Sequence, residues 1–560
     1  MVSRPARVAI LEQLRADGVR HMFGNPGTVE QGFLDELRNF PDIEYILALQ
    51  ESSVVGLADG YARATRTPAV MQLHTGVGVG NAVGMLYQAA RGHAPLVAVA
   101  GEAGLRYDAM EAQMAVDLVA MAEPVTKWAT RVVDPESVLR VLRRAFKVAA
   151  TPPYGPVLVV LPADVMDRDT SEPAVPTSYV DFAATPDAEV LDRAAGLLAG
   201  AERPLVIAGD GVHFAGAQEE LGRLARVWGA EVWGADWAEV NLSVEHPAYG
   251  GQLGHMFGES SRKVTAAADA VLITGTYALP EVYPALDGVF ADGAPVVHID
   301  LDTGAIAKNF PVDLGIAADP RRALGGLARA LERRMSPAAR ARAGEWFTRR
   351  SAEQSAARAA ARRADEAAAL DPDALPTTAF LQELARRLPE DAVVFDEALT
   401  ASPDLTRQLP PTRPGHWHQT RGGSLGVGIP GAIAARLAHP ERTVVGFTGD
   451  GGSMYTVQAL WTAARHNIGA KFVICNNSSY KLLELNIEEY WRTVGVAAHG
   501  QPEMFDLSTP AIDFTGLARS LGVPGVRVEK PDQAKAAVEQ ALATPGPFLI
   551  DLVTGRGRQE

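Results

Sequence analysis

Short apolar runs rich in β-branched residues alternate with amphipathic stretches along the chain. The runs fall into three groups: YILAL, AVMQLH, LVAVAG and VLVVLP; then PLVIAGDG, AVLITG and APVVHIDLD; then DAVVFDE, RTVVGFTGD, AKFVICNN and PFLIDLV. Strands that alternate with helical patterns are typical of βαβ units on a parallel sheet. The fold class predicted is therefore α/β, with three consecutive parallel-sheet domains.

Segments of different composition separate the three groups. The stretch 168–187 is rich in Pro, Ser and Thr and predicts a linker, whereas 338–370 is rich in Ala and Arg and predicts a solvated helical connector. The predicted parts are an N-terminal α/β domain at 1–170, a middle α/β domain at 188–335, a helical linker at 336–376 and a C-terminal α/β domain at 377–560.

Charge and cysteine content exclude several classes of partner. The 560 residues include 52 Lys and Arg against 67 Asp and Glu, and the net charge of −15 would repel nucleic acid. The one cysteine, Cys475, lies in the apolar run KFVIC, where a buried thiol in a reducing cytoplasm is expected. The N-terminus lacks the apolar core of a signal peptide, and no apolar run reaches the roughly 20 residues that span a bilayer. We expect a cytoplasmic protein without nucleic acid or membrane as partner.

The stretch GDGGSMYTVQALWTAARHNIGAKFVICNN predicts a strand end, a glycine loop, a helix and a second strand. Gly449, Gly451 and Gly452 would let the backbone present amide groups to an anion. An anion beside Asp450 requires a cation between them, and a carboxylate with the amide oxygen of Asn477 suits Mg²⁺. A lone GDG is more often a plain turn, but the 24 residues between it and the paired asparagines favour the binding interpretation.

This spacing resembles the fingerprint of thiamin diphosphate enzymes. The resemblance implies that Asp450, Asn477 and the backbone carbonyl of Ser479 bind Mg²⁺, which anchors the diphosphate of the cofactor. In RGGSLGVGIPGAI it implies that Leu425 supports the bent cofactor and that the backbone near Gly423 receives its amino group. Without the flanking glycines, Leu425 would be ordinary core. The other cofactor contacts implied are Thr400, Gly449, Gly451, Gly452, Ser453 and Tyr480, with Leu399 replacing a second hydroxyl that the family uses.

The segment YILALQESSVVGLADGYAR places Glu51 after an apolar strand, at the start of a helix. Alone, it would be an acid favoured by the helix dipole. The segment resembles the activating-glutamate motif of thiamin diphosphate enzymes, which implies that Glu51 keeps the aminopyrimidine ring of the cofactor protonated. In that superfamily the glutamate of one subunit serves the cofactor of another. The resemblance thus implies a homodimer at least, commonly a homotetramer.

Three further stretches resemble benzoylformate decarboxylases, and the likeness covers nearly the whole chain with gaps. In FGNPGTVE, Thr28 replaces a serine that binds the substrate carboxylate. In MQLHTGVGVGN, His74 matches the active-site histidine, whose ionisation near neutral pH suits proton transfer. A lone histidine at a strand end is more often structural, but the matching glycine-rich loop favours the active-site role.

The third stretch, NNSSYKLLELN, bears on the substrate pocket. Leu483 stands where pyruvate decarboxylases have a catalytic glutamate, and Glu484, one residue later, would point about 100° away on a helix. Benzoylformate decarboxylases also have leucine there, and an apolar lid suits an aryl or branched side chain. Asn486 replaces an aromatic pocket residue, which predicts a more polar pocket. The family's second active-site histidine is absent, with Tyr277 or Tyr283 near its place.

The resemblance implies a lyase that converts an aryl or branched 2-oxo acid to an aldehyde, with carboligation to a 2-hydroxy ketone as a second outcome. The alternative is an acetolactate synthase-like transferase that joins two 2-oxo acid units. Such enzymes usually have a glutamine-rich loop in place of His74, and often a flavin in the middle domain. The turn in PLVIAGDGVHF is compatible with a nucleotide, although packing explains a lone glycine turn better. A non-enzymatic homologue would have lost Glu51 or Asp450, and both are present.

Overall fold

The protein is described here by a computed structural model that covers residues 3–371 and 373–555. Contacts divide the chain into two compact units. The first comprises Met1–Val180, Ala368–Leu409 and Thr420–Glu560, and the second comprises Asp181–Ala367 and Pro410–Gln419. Two parallel sheets lie in the first unit and one in the second. The prediction of three parallel-sheet α/β domains is confirmed.

The N-terminal sheet has six strands, all paired in parallel, in the order β3-β2-β4-β5-β7-β6. Its central strands are buried on both faces, which explains their continuous apolar sequences. The strands are β1 (Arg4–Pro5), β2 (His21–Gly24), β3 (Glu44–Leu47), β4 (Ala69–His74), β5 (Leu96–Glu102), β6 (Trp128–Arg131), β7 (Val157–Pro162) and β8 (Asp169–Thr170), of which β1 and β8 pair separately. The helices are α1 (Ala6–Ala16), α2 (Gln31–Glu36), α3 (Glu51–Thr65), α4 (Thr75–Arg91), α5 (Leu118–Ala122), α6 (Val138–Ala149) and α7 (Ala163–Asp167).

The middle sheet is also parallel, in the order β11-β10-β9-β12-β13-β14. Its strands are β9 (Pro204–Ala208), β10 (Glu231–Gly234), β11 (Tyr249–Gln252), β12 (Ala270–Thr274), β13 (Val296–Asp300) and β14 (Leu314–Ala317). The helices are α8 (Ala188–Leu198), α9 (Gly211–Phe214), α10 (Gln218–Trp228), α11 (Gly258–Thr265), α12 (Pro320–Arg334) and α13 (Pro337–Ala369). Helix α13 coincides with the Ala/Arg-rich stretch, and most of its side chains are exposed, as expected for a solvated connector.

The C-terminal sheet contributes five parallel strands to the first unit, in the order β15-β17-β18-β20-β19. The strands of this region are β15 (Val393–Glu397), β16 (Trp417–Gln419, in the second unit), β17 (Val444–Gly449), β18 (Lys471–Asn476), β19 (Gly525–Val528) and β20 (Phe548–Val553). The helices are α14 (Thr377–Arg387), α15 (Ser402–Gln408), α16 (Gly428–Ala438), α17 (Asp450–Ser453), α18 (Ala459–Arg465), α19 (Lys481–Val494), α20 (Phe514–Ser520) and α21 (Ala534–Ala543).

Helices α3 and α16 join the two sheets of the first unit. A Cβ atom on Gly60 would lie 2.7 Å from the Cα atom of Gly431, and one on Gly56 would lie 2.7 Å from Cγ of Pro430. The absence of side chains at Gly56 and Gly60 therefore allows the backbones to approach closely. Helix α3 begins at Glu51, and α16 follows the glycine-rich stretch around Leu425, so this contact connects the elements that present both predicted halves of the site.

Two expectations from the sequence concern this part of the chain. Cys475 is buried, as expected, and burial raises the pKa of its thiol. The helix predicted after the glycine loop is α18, which begins at Ala459, and the loop itself contains the short helix α17. Over the described ranges, no helix combines the length and the apolar character needed to cross a membrane.

Candidate active site

The carboxyl ends of β17 and β18 bring Asp450 and Asn477 together. The two strands are parallel neighbours with Gly449 opposite Cys475, so the residues that follow each strand meet at one edge of the sheet. Asp450 accepts hydrogen bonds from the backbone N–H groups of Gly451 (2.8 Å), Ser478 (2.6 Å) and Asn477 (3.2 Å). Burial raises the pKa of Asp450, and these backbone donors oppose the increase.

The paired asparagines have different environments. Asn476 donates from Nδ2 to Oδ1 of Asp551 on the neighbouring strand β20 (2.9 Å), which ties its side chain into the sheet. Asn477 lies beyond the strand end, and its Oδ1 accepts the N–H of Ser479 (2.9 Å). An amide oxygen has two lone pairs, so Oδ1 of Asn477 can accept one hydrogen bond and still face a cation.

The residues at this edge fit a diphosphate held by Mg²⁺. In the described part of the chain no group of three or more His, Cys, Asp or Glu side chains is arranged to hold a metal ion, so an ion here would use Asp450 with amide and carbonyl oxygens. That set of oxygen donors suits Mg²⁺, which keeps several positions for phosphate oxygens and water. A Cβ atom on Gly449 or Gly423 would meet no atom within 4 Å, which leaves open space beside the backbone for a ligand.

A cavity of 580 Å³ adjoins these residues, and Thr400, Asn477 and Ser479 lie in its wall. Glu484 also lines it, with hydrogen bonds to the hydroxyl of Ser479 and to Nζ of Lys481 (2.8 Å). Leu483 and Asn486 occupy the same helix, α19, where Leu483 is exposed and Asn486 is half-buried. Their spacing of three places them on one face of α19.

Three other predicted contacts lie around the glycine loop. Leu425 is half-buried, and a Cβ atom on Gly452 would lie 3.9 Å from its side chain. The Tyr480 ring packs on Gly451, where a Cβ atom would come within 2.5 Å of Cε1. The Ser453 hydroxyl is buried and donates to the backbone carbonyl of Asp450 (2.7 Å), which stabilises the loop.

Glu397 was not identified from the sequence. It is buried at the end of β15 and accepts the N–H groups of Gly426 (2.8 Å), Val427 (2.9 Å) and Gly428 (2.9 Å), together with the hydroxyl of Thr448 (3.0 Å). Its carboxylate therefore caps the N-terminus of α16 and fixes the turn that follows Leu425, while burial raises its pKa to about 7. No local motif in the sequence reveals this role, because the backbone donors lie about thirty residues away and Thr448 lies further still.

Glu51 lies at the carboxyl edge of the N-terminal sheet as the first residue of α3. It is buried, and its two oxygens accept from Nδ2 of Asn25 and Nδ2 of Asn81, each at 3.0 Å. Gln50 precedes it and caps α3 by accepting from the N–H groups of Ser52 and Ser53. Both asparagines lie in stretches that the sequence singled out for other residues.

His74 ends β4 at the same edge. Its Nδ1 lies 3.0 and 3.2 Å from the two carboxylate oxygens of Glu30, which is buried and was not identified from the sequence. Gly78 separates His74 from Glu51, since a Cβ atom there would lie 3.3 Å from Oε1 of Glu51 and 3.4 Å from Cβ of His74. Thr28 is exposed in the loop between β2 and α2. The structure thus groups Glu51, His74 and their partners at one sheet edge.

The middle domain contains the two tyrosines near the place of the family's second histidine and the glycine turn considered for nucleotide binding. Nζ of Lys308 lies over the ring of Tyr277, 4.3 Å from its centroid. The exposed Tyr283 stacks on Phe257, with the ring centroids 5.5 Å apart. In the turn after β9, a Cβ atom on Gly211 would lie 2.5 Å from Cα of Gly275, so packing explains this glycine. The carboxylate of Asp210 accepts from the N–H of Ala238 (3.0 Å) and from Nδ2 of Asn241 (2.7 Å) within the domain.

Comparison with known families agrees with this geometry. The thiamine pyrophosphate enzyme models match residues 6–121 (N-terminal TPP binding domain), 191–327 (central domain) and 401–552 (C-terminal TPP binding domain). The chain is 31% identical over 557 residues to benzoylformate decarboxylase of Pseudomonas aeruginosa, and the match covers 98% of each protein. The chain therefore belongs to the thiamin diphosphate-dependent 2-oxo acid decarboxylase family and is an enzyme of that class.

Two other proteins that are similar to this chain have different names and activities. A solved structure of a thiamine diphosphate-dependent 4-hydroxybenzoylformate decarboxylase of Rhodococcus jostii RHA1 superposes with a TM-score of 0.83 at 27% identity, covering 99% of each chain. The large subunit of acetolactate synthase isozyme 3 of Escherichia coli is 26% identical, with 95% of this chain and 91% of that protein covered.

Proposed function

We propose that the protein is a thiamin diphosphate- and Mg²⁺-dependent decarboxylase of an aryl or branched 2-oxo acid, with carboligation of the product aldehyde as a second outcome. The observation that carries the proposal is the placement of His74 beside Glu51 at one sheet edge, each held by its own hydrogen-bonding partners. A transferase of the acetolactate synthase type would have a glutamine-rich loop in place of His74. The 31% identity to a benzoylformate decarboxylase supports the same choice.

Each predicted residue has a stated task under this proposal. Asp450, Asn477 and the carbonyl of Ser479 bind Mg²⁺, and Thr400 lies beside them in the wall of the same cavity. The remaining cofactor contacts are Gly423, Leu425, Gly449, Gly451, Gly452, Ser453 and Tyr480. Thiamin diphosphate, when bound, supplies the electron sink that stabilises the negative charge left as CO₂ departs.

The N-terminal edge handles protons and the substrate. Glu51, which is buried at this edge, keeps a proton on the aminopyrimidine ring. His74 transfers protons to and from the reacting carbon, and the hydroxyl of Thr28 contacts the substrate carboxylate. Leu483 and Asn486 line the space for the substrate side chain. A homodimer or homotetramer in a reducing cytoplasm would bring Glu51 of one subunit to the glycine loop of another.

A substrate panel tests the proposal. The full-length protein, stripped of metal and cofactor with a chelator, should release CO₂ from benzoylformate or a branched 2-oxo acid only after both are restored. Aldehydes and 2-hydroxy ketones should be the products. Consumption of pyruvate to a 2-hydroxy-2-methyl-3-oxo acid, with flavin bands in the absorbance spectrum, would favour the transferase instead. Release of CO₂ that is independent of metal and cofactor would contradict both.

A pair of neighbouring leucines tests the substrate pocket. Leu483→Ala should shift the preference between benzoylformate and pyruvate by about tenfold, since truncating a pocket side chain is worth about 1–3 kcal/mol. Leu482→Ala is the matched control, because Leu482 is also exposed but points about 100° away on α19. Equal preferences for the two variants would remove Leu483 from the pocket.

A further inference from the structure

The ring of His74 is held through one nitrogen. Its Nδ1 lies 3.0 Å from one oxygen of Glu30 and 3.2 Å from the other. The Glu30 side chain is 3% exposed, and the His74 side chain is 15% exposed. An ionised carboxylate accepts hydrogen bonds only, so with Glu30 ionised the proton of a neutral His74 must be on Nδ1. Nε2 is then the nitrogen with a free lone pair.

Two glycines leave space for the side chains of Glu30 and His74. Gly101 on β5 is the register partner of His74, and a Cβ atom there would lie 2.0 Å from Oε1 of Glu30. A Cβ atom on Gly27, in the loop before Glu30, would lie 2.0 Å from Cγ and Nδ1 of the His74 ring. The absence of side chains at Gly101 and Gly27 therefore provides the space that the Glu30 carboxylate and the His74 imidazole occupy.

We propose that Glu30 is a positioning residue, which keeps the proton of neutral His74 on Nδ1 and so makes Nε2 the atom that exchanges protons with the substrate. The inference rests on the proposed function, in which His74 transfers protons. A carboxylate that orients an imidazole through Nδ1 also stabilises the charged ring that forms when Nε2 takes up a proton.

Other titratable groups surround the pair. Glu51 approaches His74 across Gly78, and the hydroxyl of Tyr45 donates to Oε1 of Gln72 (2.6 Å) near Glu30. The negative charge of Glu30 and burial both raise the pKa of Tyr45, so this phenol stays neutral. Burial also raises the pKa of Glu30, whereas His74 lowers it. Of these groups, Glu30 is the carboxylate that lies within hydrogen-bonding distance of the His74 ring.

The ring nitrogens of His74 can be observed without any substrate. Magic-angle-spinning ¹⁵N spectra of the histidine-labelled full-length protein, minus the spectrum of His74→Gln, should show a protonated Nδ1 and an unprotonated Nε2 in the neutral ring. A protonated Nε2 in the wild-type protein would overturn the proposal. Because this readout needs no turnover, it decides the role of Glu30 even if no 2-oxo acid in the panel is consumed.

Kinetics of Glu30→Gln give the second measurement. We expect kcat to fall by about 10- to 100-fold, as for other lost partners of functional imidazoles, while cofactor affinity is unchanged. The pH profile of kcat should also differ from that of the wild-type protein, because the negative charge beside the imidazole is gone. A wild-type pH profile together with an unchanged ring spectrum would overturn the proposal. If the variant does not fold, the wild-type spectrum alone decides.

Glu44→Gln is the matched control. Glu44 is another carboxylate of the N-terminal domain that faces histidines, lying 3.7 Å from His21 and 3.4 Å from His466, but its side chain is 56% exposed. Its replacement should leave the pH profile and the ring spectrum of His74 unchanged. A shift of the same size as in Glu30→Gln would show that any nearby negative charge suffices, and would contradict a specific positioning role.

Discussion

Two acids at strand ends, Glu51 in the N-terminal sheet and Asp450 in the C-terminal sheet, are equally buried but differently held. Glu51 is 6% exposed and Asp450 is 5% exposed. Side-chain amides of Asn25 and Asn81 donate to Glu51, whereas backbone N–H groups donate to Asp450. Backbone donors are fixed by the fold and favour a permanent anion, as a metal ligand requires. Side-chain amides can reorient, which is compatible with the role that we propose for Glu51.

The first prediction concerns Glu51, the acid that we propose exchanges a proton with the cofactor. Glu51→Gln keeps the size of the side chain but cannot hold the proton, so exchange of the cofactor's C2 proton should slow by about 10³-fold, with kcat falling in parallel. Exchange is measured by NMR after acid quench, with cofactor affinity from calorimetry as the control. Wild-type exchange would refute the assignment of Glu51.

Mixing variants tests whether the two regions act in different subunits. Glu51→Gln and Asp450→Ala chains should each be inactive alone. After co-refolding or co-expression, about a quarter of wild-type activity should return, because about half of random dimers are mixed and each has one intact site. If the mixture stays inactive although mixed dimers form, both acids serve a site within one chain.

The second prediction concerns Asp450, the acid held by backbone N–H groups. Asp450→Ala deletes the proposed metal ligand, so the apparent affinity for thiamin diphosphate at saturating Mg²⁺ should fall by at least about 100-fold. Titration calorimetry measures it. Glu441→Gln is the control, since Glu441 is exposed just before the amino end of β17, the strand that precedes Asp450. An unchanged affinity in Asp450→Ala would move the metal away from this edge.

The sequence predicted the strands whose apolar runs are continuous and missed most of those at the sheet margins. Strands β6, β11, β14 and β19 are edges of their sheets, and none has a long apolar run. An edge strand is paired on one side only and is less buried, so its sequence carries a weaker pattern. The grouping of two sheets into one unit was also missed, because it depends on the contact of Gly60 with Gly431, far apart in the chain.

In the candidate site, too, residues within local motifs were predicted from the sequence, whereas contacts between distant segments were not. Glu51, His74, Asp450 and Asn477 were predicted, because each ends a strand or starts a helix inside a motif. Glu30 was not, although it lies in a quoted stretch, since nothing local indicates which side chain it meets. Contacts between distant segments need the folded backbone.

The third prediction tests Glu397, a carboxylate held mainly by backbone donors. Glu397 accepts three backbone N–H groups and one hydroxyl, and Glu397→Gln offers these donors one oxygen and an opposing NH₂ group. The loss should be about 2 kcal/mol, seen as a thermal midpoint lower by about 3 °C. Glu539→Gln, at the exposed ion pair with Arg387, is the control. An unchanged midpoint would mean that the cap of α16 contributes little.

The smallest predicted effect concerns a contact between the two regions. Nε2 of His466, just beyond α18, accepts the N–H of Leu47 (3.2 Å), and the Thr462 hydroxyl donates to the Leu47 carbonyl (3.0 Å). Leu47 ends β3, four residues before Glu51, and α18 follows the glycine loop of Asp450. This contact therefore holds the segment before one acid against the helix after the other.

The pH dependence of this contact has a definite sign. Burial lowers the pKa of His466 below its usual 6.5, against an opposing effect of Glu44. The unfolded chain then binds the proton more readily, so stability is lost as pH falls below about 6.5. His466→Gln can accept the same N–H through its amide oxygen at any pH. The thermal midpoint of the wild-type protein should thus fall more than that of the variant between about pH 7.5 and pH 5, by about a degree or two. Parallel curves would show that His466 does not titrate in this contact, and would leave the packing of α3 on α16 as the connection between the two regions.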